Sequence, residues 1–131
     1  MSEAKRILVV DDDRAIRTLL SDALDLEGYT VITATNGAEA LAKMDGAMPD
    51  AIVLDLMMPV MDGRTFLQHC HADPRYAGMP VLVLSASHNL TELAPELGAR
   101  ACMAKPFDVD VLLAVVDRLV APIDDAPRTP A

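Results

Sequence analysis

Three short runs in this chain are apolar without interruption: Ile7 to Val10, Ala51 to Leu54 and Val81 to Leu84. A strand with one face in water alternates apolar and polar residues, whereas a strand covered on both faces does not. The runs therefore predict central strands of a parallel sheet. Each stops against a polar residue: Asp11-Asp12-Asp13 after the first, Asp55 after the second and Ser85 after the third. An acid after one such run reads equally well as the start of a loop or as a group placed for chemistry, and the rest of the chain has to decide.

Two further segments, Thr30 to Ala34 and Arg100 to Met103, read as additional short strands, and helical patterns separate the strands. Ile16, Leu19, Leu20, Ala23 and Leu24 recur as one apolar stripe, and Gly28 suits the left-handed residue that stops a helix. Asn36 and Glu39 form a capping box, in which the Asn36 side chain takes the Glu39 amide and Glu39 reaches back. That helix runs to about Met44 and breaks at Gly46 to Pro49. Asp62 caps a third helix that turns Phe66, Leu67 and Cys70 inward. Pro74 to Pro80 is a loop. Leu90 to Gly98 is a weak helix, because Pro95 lacks the amide a helix interior needs. Asp108 caps a last helix with Val109, Leu112, Val115, Val116 and Leu119 on one face. Strand followed by helix, repeated along the chain, predicts a doubly wound α/β sheet with helices on both faces and right-handed crossovers. The expected domain spans residues 1–120. Residues 121–131, with Pro122, Pro127 and Pro130 and no apolar period, read as a disordered tail or linker.

Composition narrows the function. With 131 residues the chain is the size of one domain, and 52% hydrophobic residues with only 3% aromatic predict an aliphatic core. A net charge of −9 without any cluster of Lys and Arg argues against direct binding to nucleic acid or to an anionic membrane. No run resembles a signal peptide or a membrane span, and Cys70 and Cys102 have no disulfide spacing, so a reducing cytoplasm is expected.

In a parallel sheet all carboxyl ends lie on one edge, where ligands of open α/β sheets bind. Asp11, Asp12, Asp55, Ser85 and Lys105, which follows the fifth strand, should therefore converge. Three clustered carboxylates repel one another. A Mg²⁺ ion relieves that repulsion, takes hard oxygen ligands and leaves positions for a phosphate oxygen. Lys105 can neutralise a phosphoryl group, Ser85 can donate a hydrogen bond to it, and Asp55 can serve as a carboxylate nucleophile.

The segments Val9-Val10-Asp11-Asp12-Asp13, Asp55-Leu56-Met57-Met58-Pro59-Val60-Met61-Asp62-Gly63, Leu84-Ser85-Ala86 and Ala104-Lys105-Pro106-Phe107 resemble those of receiver domains of bacterial two-component response regulators. The resemblance covers about residues 6–120. It implies a flavodoxin-like five-stranded parallel sheet of order 2-1-3-4-5, with Asp55 as phosphoacceptor. Asp11, Asp12, Asp55 and the backbone carbonyl of Met57 would hold Mg²⁺. Ser85 would be the switch hydroxyl, Lys105 the phosphate-pairing lysine, and the Lys105–Pro106 bond cis. The implied donor is a histidine kinase or phosphotransfer protein, and the output a downstream protein the sequence does not name. Cys102 stands where many receivers carry an aromatic residue. Together with Pro95, this predicts that the loop after Ser85 and the helix around Pro95 move, rather than a side chain at 102.

Other residues read more plainly. Asp13 is a helix cap. His69, Cys70 and His71 do not face one another on a helix and make no metal site. His88 is a loop residue. The eight methionines are core filler, although Met57, Met58 and Met61 flank the acids. Leu113 and Val120 on the last helix are either core edge or a partner contact, including a homodimer through that helix. Two other functions compete. A Mg²⁺-dependent aspartyl-nucleophile phosphatase needs a second acid two residues after the nucleophile, where this chain has Met57. A degenerate receiver used only for binding would lack key residues, and all are present.

Overall fold

The computed structural model describes residues 4–86 and 97–121. The described elements are, in chain order, β1 (Arg6–Val10), α1 (Arg14–Leu26), β2 (Thr30–Ala34), α2 (Gly37–Gly46), β3 (Ala51–Asp55), α3 (Gly63–Ala72), β4 (Val81–Ser85), β5 (Ala101–Ala104) and α4 (Val109–Leu119). All pairings are parallel, in the order β2-β1-β3-β4-β5. His88, the expected helix at Leu90 to Gly98 except for Leu97 and Gly98, and most of the 121–131 tail fall on residues 87–96 and 122–131, outside the described residues.

Strand side chains alternate between two apolar layers, as the period of two demands. Leu8, Val10, Ile52, Leu54, Val81 and Val83 pack with Ala40 and Met44 of α2 and with Phe66, Leu67 and Cys70 of α3. Ile7, Val9, Ala51, Val53, Leu82 and Leu84 pack with Leu20 and Leu24 of α1 and with Leu112 and Val116 of α4. The uninterrupted apolar runs are thus explained: β1, β3 and β4 are covered on both faces.

The helix ends follow their side chains. Asp13, Asn36, Asp62 and Asp108 each cap a helix by accepting backbone N–H groups of its first turn. Gly28 takes φ +95° after α1. Its N–H donates to the Asp25 carbonyl at 3.0 Å and that of Tyr29 to the Leu24 carbonyl at 3.1 Å, the two bonds that close a helix through a left-handed residue.

Several expectations are corrected. Half of the capping box forms: Asn36 accepts the Glu39 N–H at 2.9 Å. The Glu39 carboxylate, however, takes the Thr35 N–H at 2.6 Å and the Thr35 hydroxyl at 2.9 Å instead of the Asn36 amide, because the preceding residue supplies two donors. Leu19 is 45% exposed, since the buried line of α1 is carried by Leu20 and Leu24. The fifth strand starts one residue later than predicted and, as an edge strand, is only half-buried. The core is not wholly aliphatic: Tyr76, inside the 74–80 loop, is buried among the α2–α3 layer with Arg75 stacked on its ring. Met44 is a core methionine, whereas Met48 and Met57 are exposed. Leu113 and Val120 pack against the domain's own core.

Candidate functional site

The sheet register delivers the polar residues to one edge. Val10 lies opposite Leu54, so Asp11 and Asp55 leave adjacent strands side by side. They do so between β1 and β3, where the strand order reverses direction and a crevice opens in such sheets. Asp55 lies opposite Leu84, which sets Ser85 one residue further along, and Ser85 lies opposite Ala104. The Lys105 N–H then donates to the Ser85 carbonyl at 2.9 Å, so the lysine is anchored by its backbone to the strand end beside it. The Lys105–Pro106 peptide is cis.

Asp11 and Asp55 are almost wholly buried, at 1% and 4% exposure. Lys105 Nζ bridges them, 3.0 Å from Asp11 Oδ2 and 3.4 Å from Asp55 Oδ1. Asp11 Oδ1 also accepts the Asp13 N–H at 2.9 Å, and Arg17 Nη1 donates to the Asp11 carbonyl at 2.9 Å. Asp55 Oδ1 accepts the Met57 N–H at 3.3 Å. Asp12 is exposed at the mouth. Carboxylate oxygens of Asp11, Asp12 and Asp55 lie within 4.8 Å of one another, and no other such cluster of ligating side chains occurs among the described residues.

Burial, and next the charge of Asp11, push the Asp55 carboxyl above its usual range, and the charge of Lys105 and the Met57 amide only partly offset them. For Lys105, burial opposes the charge, yet the hydrogen bond and charge of Asp11 and the charge of Asp55 outweigh it and raise the ammonium's pKa. One ammonium faces three carboxylates, so the pocket is short of positive charge. Its donors are hard oxygens, the set that a small divalent cation such as Mg²⁺ takes.

Asp11, Asp12, Asp55 and Lys105 therefore meet, and Ser85, buried at 3% exposure, ends the strand between Asp55 and Lys105. Asp13 turns away to accept the N–H groups of Ala15 at 2.8 Å and Ile16 at 3.4 Å, as a capping acid should. The side chain of Met57 is 74% exposed at the rim. His69 and His71 are exposed while Cys70 is buried between them, so these three side chains do not meet. Sequence reasoning did not single out Arg17 or Gly37. Arg17 had no signal beyond its place one turn into α1. Gly37 follows the cap residue of α2, where a glycine invites a question about what passes close to it.

The family model of the response regulator receiver domain matches residues 7–117. Among curated relatives, the DNA-binding dual master transcriptional regulator RpaA of Synechocystis sp. is 40% identical over 94% of this chain and 52% of its own length. Response regulator MprA of Mycobacterium ulcerans is 46% identical over 83% of this chain and 47% of its own. The chain thus spans about half the length of the curated relatives it matches. Among solved structures, chemotaxis response regulator CheY4 of Vibrio cholerae superposes with a TM-score of 0.82 at 35% identity, covering 88% of this chain and 98% of that one. A putative response regulator from Chloroflexus aurantiacus gives a TM-score of 0.85 at 31% identity, over 92% of this chain and 100% of that one. The matched segment runs from β1 through most of α4 and takes in every residue of the acid pocket, and on that ground the chain belongs to the receiver domains of two-component response regulators.

Proposed function

We propose that Asp55 is the residue that accepts the phosphoryl group, from a histidine kinase or a histidine phosphotransfer protein. The observation that carries this reading is Lys105 Nζ bridging the buried Asp11 and Asp55 carboxylates at 3.0 and 3.4 Å. An Asp55 carboxylate oxygen forms the new O–P bond as the donor's N–P bond breaks, and the histidine nitrogen leaves with the electron pair. Lys105 is close enough to move its hydrogen bond to the arriving phosphoryl oxygens, and Ser85 supplies a hydroxyl donor beside them. Asp11, Asp12, Asp55 and the Met57 carbonyl would hold Mg²⁺, which when bound offsets the negative charge gathered by the acids and the phosphoryl group.

The domain in this reading is residues 1–120, with 121–131 a tail or linker, and it works in the cytoplasm as a switch. It assists its own phosphorylation and dephosphorylation and turns over no other substrate. An aspartyl phosphatase is disfavoured because the position of its second acid is Met57, an exposed apolar side chain. The output partner is a protein. A homodimer through α4 has little surface to use, since Val111 is the large apolar side chain that helix exposes.

Intact mass after incubation with acetyl phosphate and Mg²⁺ tests the assignment. One labile phosphoryl adduct is expected on the wild type, with none in Asp55→Asn and none in excess chelator. A persistent adduct in Asp55→Asn would overturn it.

A further inference from the structure

The loop between β3 and α3 turns through a residue that resists the turn. Val60 takes φ +67°, and the Met61 N–H donates to the Pro59 carbonyl at 2.7 Å across it. A β-branched side chain in the left-handed region is strained, and such a conformation persists only where its surroundings hold it. Val60 itself is 85% exposed and has little packing of its own to supply that hold.

Two glycines grip the loop on either side of the strained residue. The Gly63 N–H donates to the Leu56 carbonyl at 3.0 Å, and a Cβ there would stand 2.8 Å from both the Asp55 carbonyl oxygen and Leu56 Cα. The second grip comes from a different part of the chain. Gly37, the first residue of α2, donates its N–H to the Met61 carbonyl at 3.0 Å. A Cβ on Gly37 would stand 2.8 Å from Met61 Cγ, 2.9 Å from Met61 Sδ and 3.0 Å from Phe66 Cβ. Phe66 is fully buried and cannot yield. Cγ is the first side-chain atom beyond Cβ, so it moves only with a rotamer change at Met61 or with the loop backbone.

We propose that Gly37 is a positioning residue for the acid pocket: it accepts Met61 where any side chain would stand, locks the strained Val60 turn, and so sets the Met57 segment against Asp55 for cation binding. This rests on the reading of Asp11, Asp12, Asp55 and Met57 as the Mg²⁺ site. Alanine forms helices better than glycine, so a metal defect in Gly37→Ala would not come from α2 itself.

The test measures Mg²⁺ affinity of the full chain by titration calorimetry, alongside urea unfolding and the backbone amide signals of residues 55–58 in chelator. Gly37→Ala should bind Mg²⁺ about tenfold more weakly, the scale of a lost outer-shell support, with the amide signals of Met57 and Met58 displaced before any metal is added. Gly37→Ala/Met61→Ala, which clears the two nearest atoms, Cγ and Sδ, and leaves only the 3.0 Å approach to Phe66 Cβ, should recover part of both. Wild-type affinity in Gly37→Ala, or a double variant as weak as the single one, overturns the proposal. Should Gly37→Ala fail to fold, Met61→Ile crowds Gly37 from the other side: weakened Mg²⁺ binding in it supports the clamp and wild-type binding overturns it. Asp12→Ala and Asp55→Asn run in parallel. If neither weakens Mg²⁺ binding, the metal reading fails and this proposal with it; if both do and Gly37→Ala does not, the role of Gly37 alone is overturned.

Discussion

At Asp55 two pressures act on one carboxyl group. Burial and the neighbouring Asp11 disfavour its charge, and Lys105 favours it without prevailing, so the pKa is raised. Between the ordinary carboxylate range and that raised value the folded protein binds more protons than the unfolded chain, and stability falls as pH rises through the window. The penalty is fully present above the raised value and absent below the ordinary range. Asp55→Asn should therefore be more stable than the wild type at neutral pH in chelator. Urea midpoints should show the gap closing as pH falls below the ordinary carboxylate range, where the wild-type carboxyl is protonated in both states; a gap that persisted in acid would trace to packing instead of charge. Val60 carries a different strain, in the backbone. Glycine adopts φ +67° freely, but it also loses more freedom on folding. Val60→Gly should still raise stability by about 0.5–1 kcal/mol, read as a higher urea midpoint with an unchanged slope.

At the scale of an element, α1 shows how three consecutive acids divide their work. Asp11 follows the strand and is buried, Asp12 stands at the pocket mouth, and Asp13 caps the helix. The Asp13 backbone N–H also holds Asp11 Oδ1, a bond that survives removal of the Asp13 side chain. Asp13→Ala should then lower stability by about 1 kcal/mol and leave Mg²⁺ affinity unchanged. Asp12→Ala should do the reverse, weakening Mg²⁺ binding with little loss of stability in chelator. Calorimetric titration paired with urea unfolding separates the two, and equal metal defects in both variants would refute the division.

Across the whole molecule the charge is −9, and three carboxylates of that excess are gathered at one sheet edge. A cation that binds there stabilises the native state by mass action, about 2.7 kcal/mol at a hundredfold excess over its dissociation constant. The melting temperature should rise with Mg²⁺ for the wild type and stay flat for Asp12→Ala. The same charge predicts that this chain, alone, gives no salt-sensitive binding to duplex DNA, phosphorylated or not, when assayed by fluorescence anisotropy. RpaA is a DNA-binding regulator by name, but the chain spans only 52% of it, so that property is no guide to the segment described here.

The unalternating runs at β1, β3 and β4 were sufficient to predict a parallel sheet covered on both faces, because side-chain period reports burial directly. The acids, Ser85 and Lys105 were legible for the same reason: in such a sheet every strand's carboxyl end reaches one edge, whatever the distance along the chain. Caps at Asp13, Asn36, Asp62 and Asp108 were equally local, each needing only the residues of one turn. What the sequence could not supply was which particular neighbour each side chain would find. The partner of Glu39 was Thr35, Tyr76 belonged to the core, and β5 proved to be a half-buried edge, each decided by what packed nearby. The grip of Gly37 on Met61 and the strain at Val60 belong to the same class. A missing Cβ has no period and no local partner, so its purpose emerges only when folding brings another loop to within 3.0 Å of it.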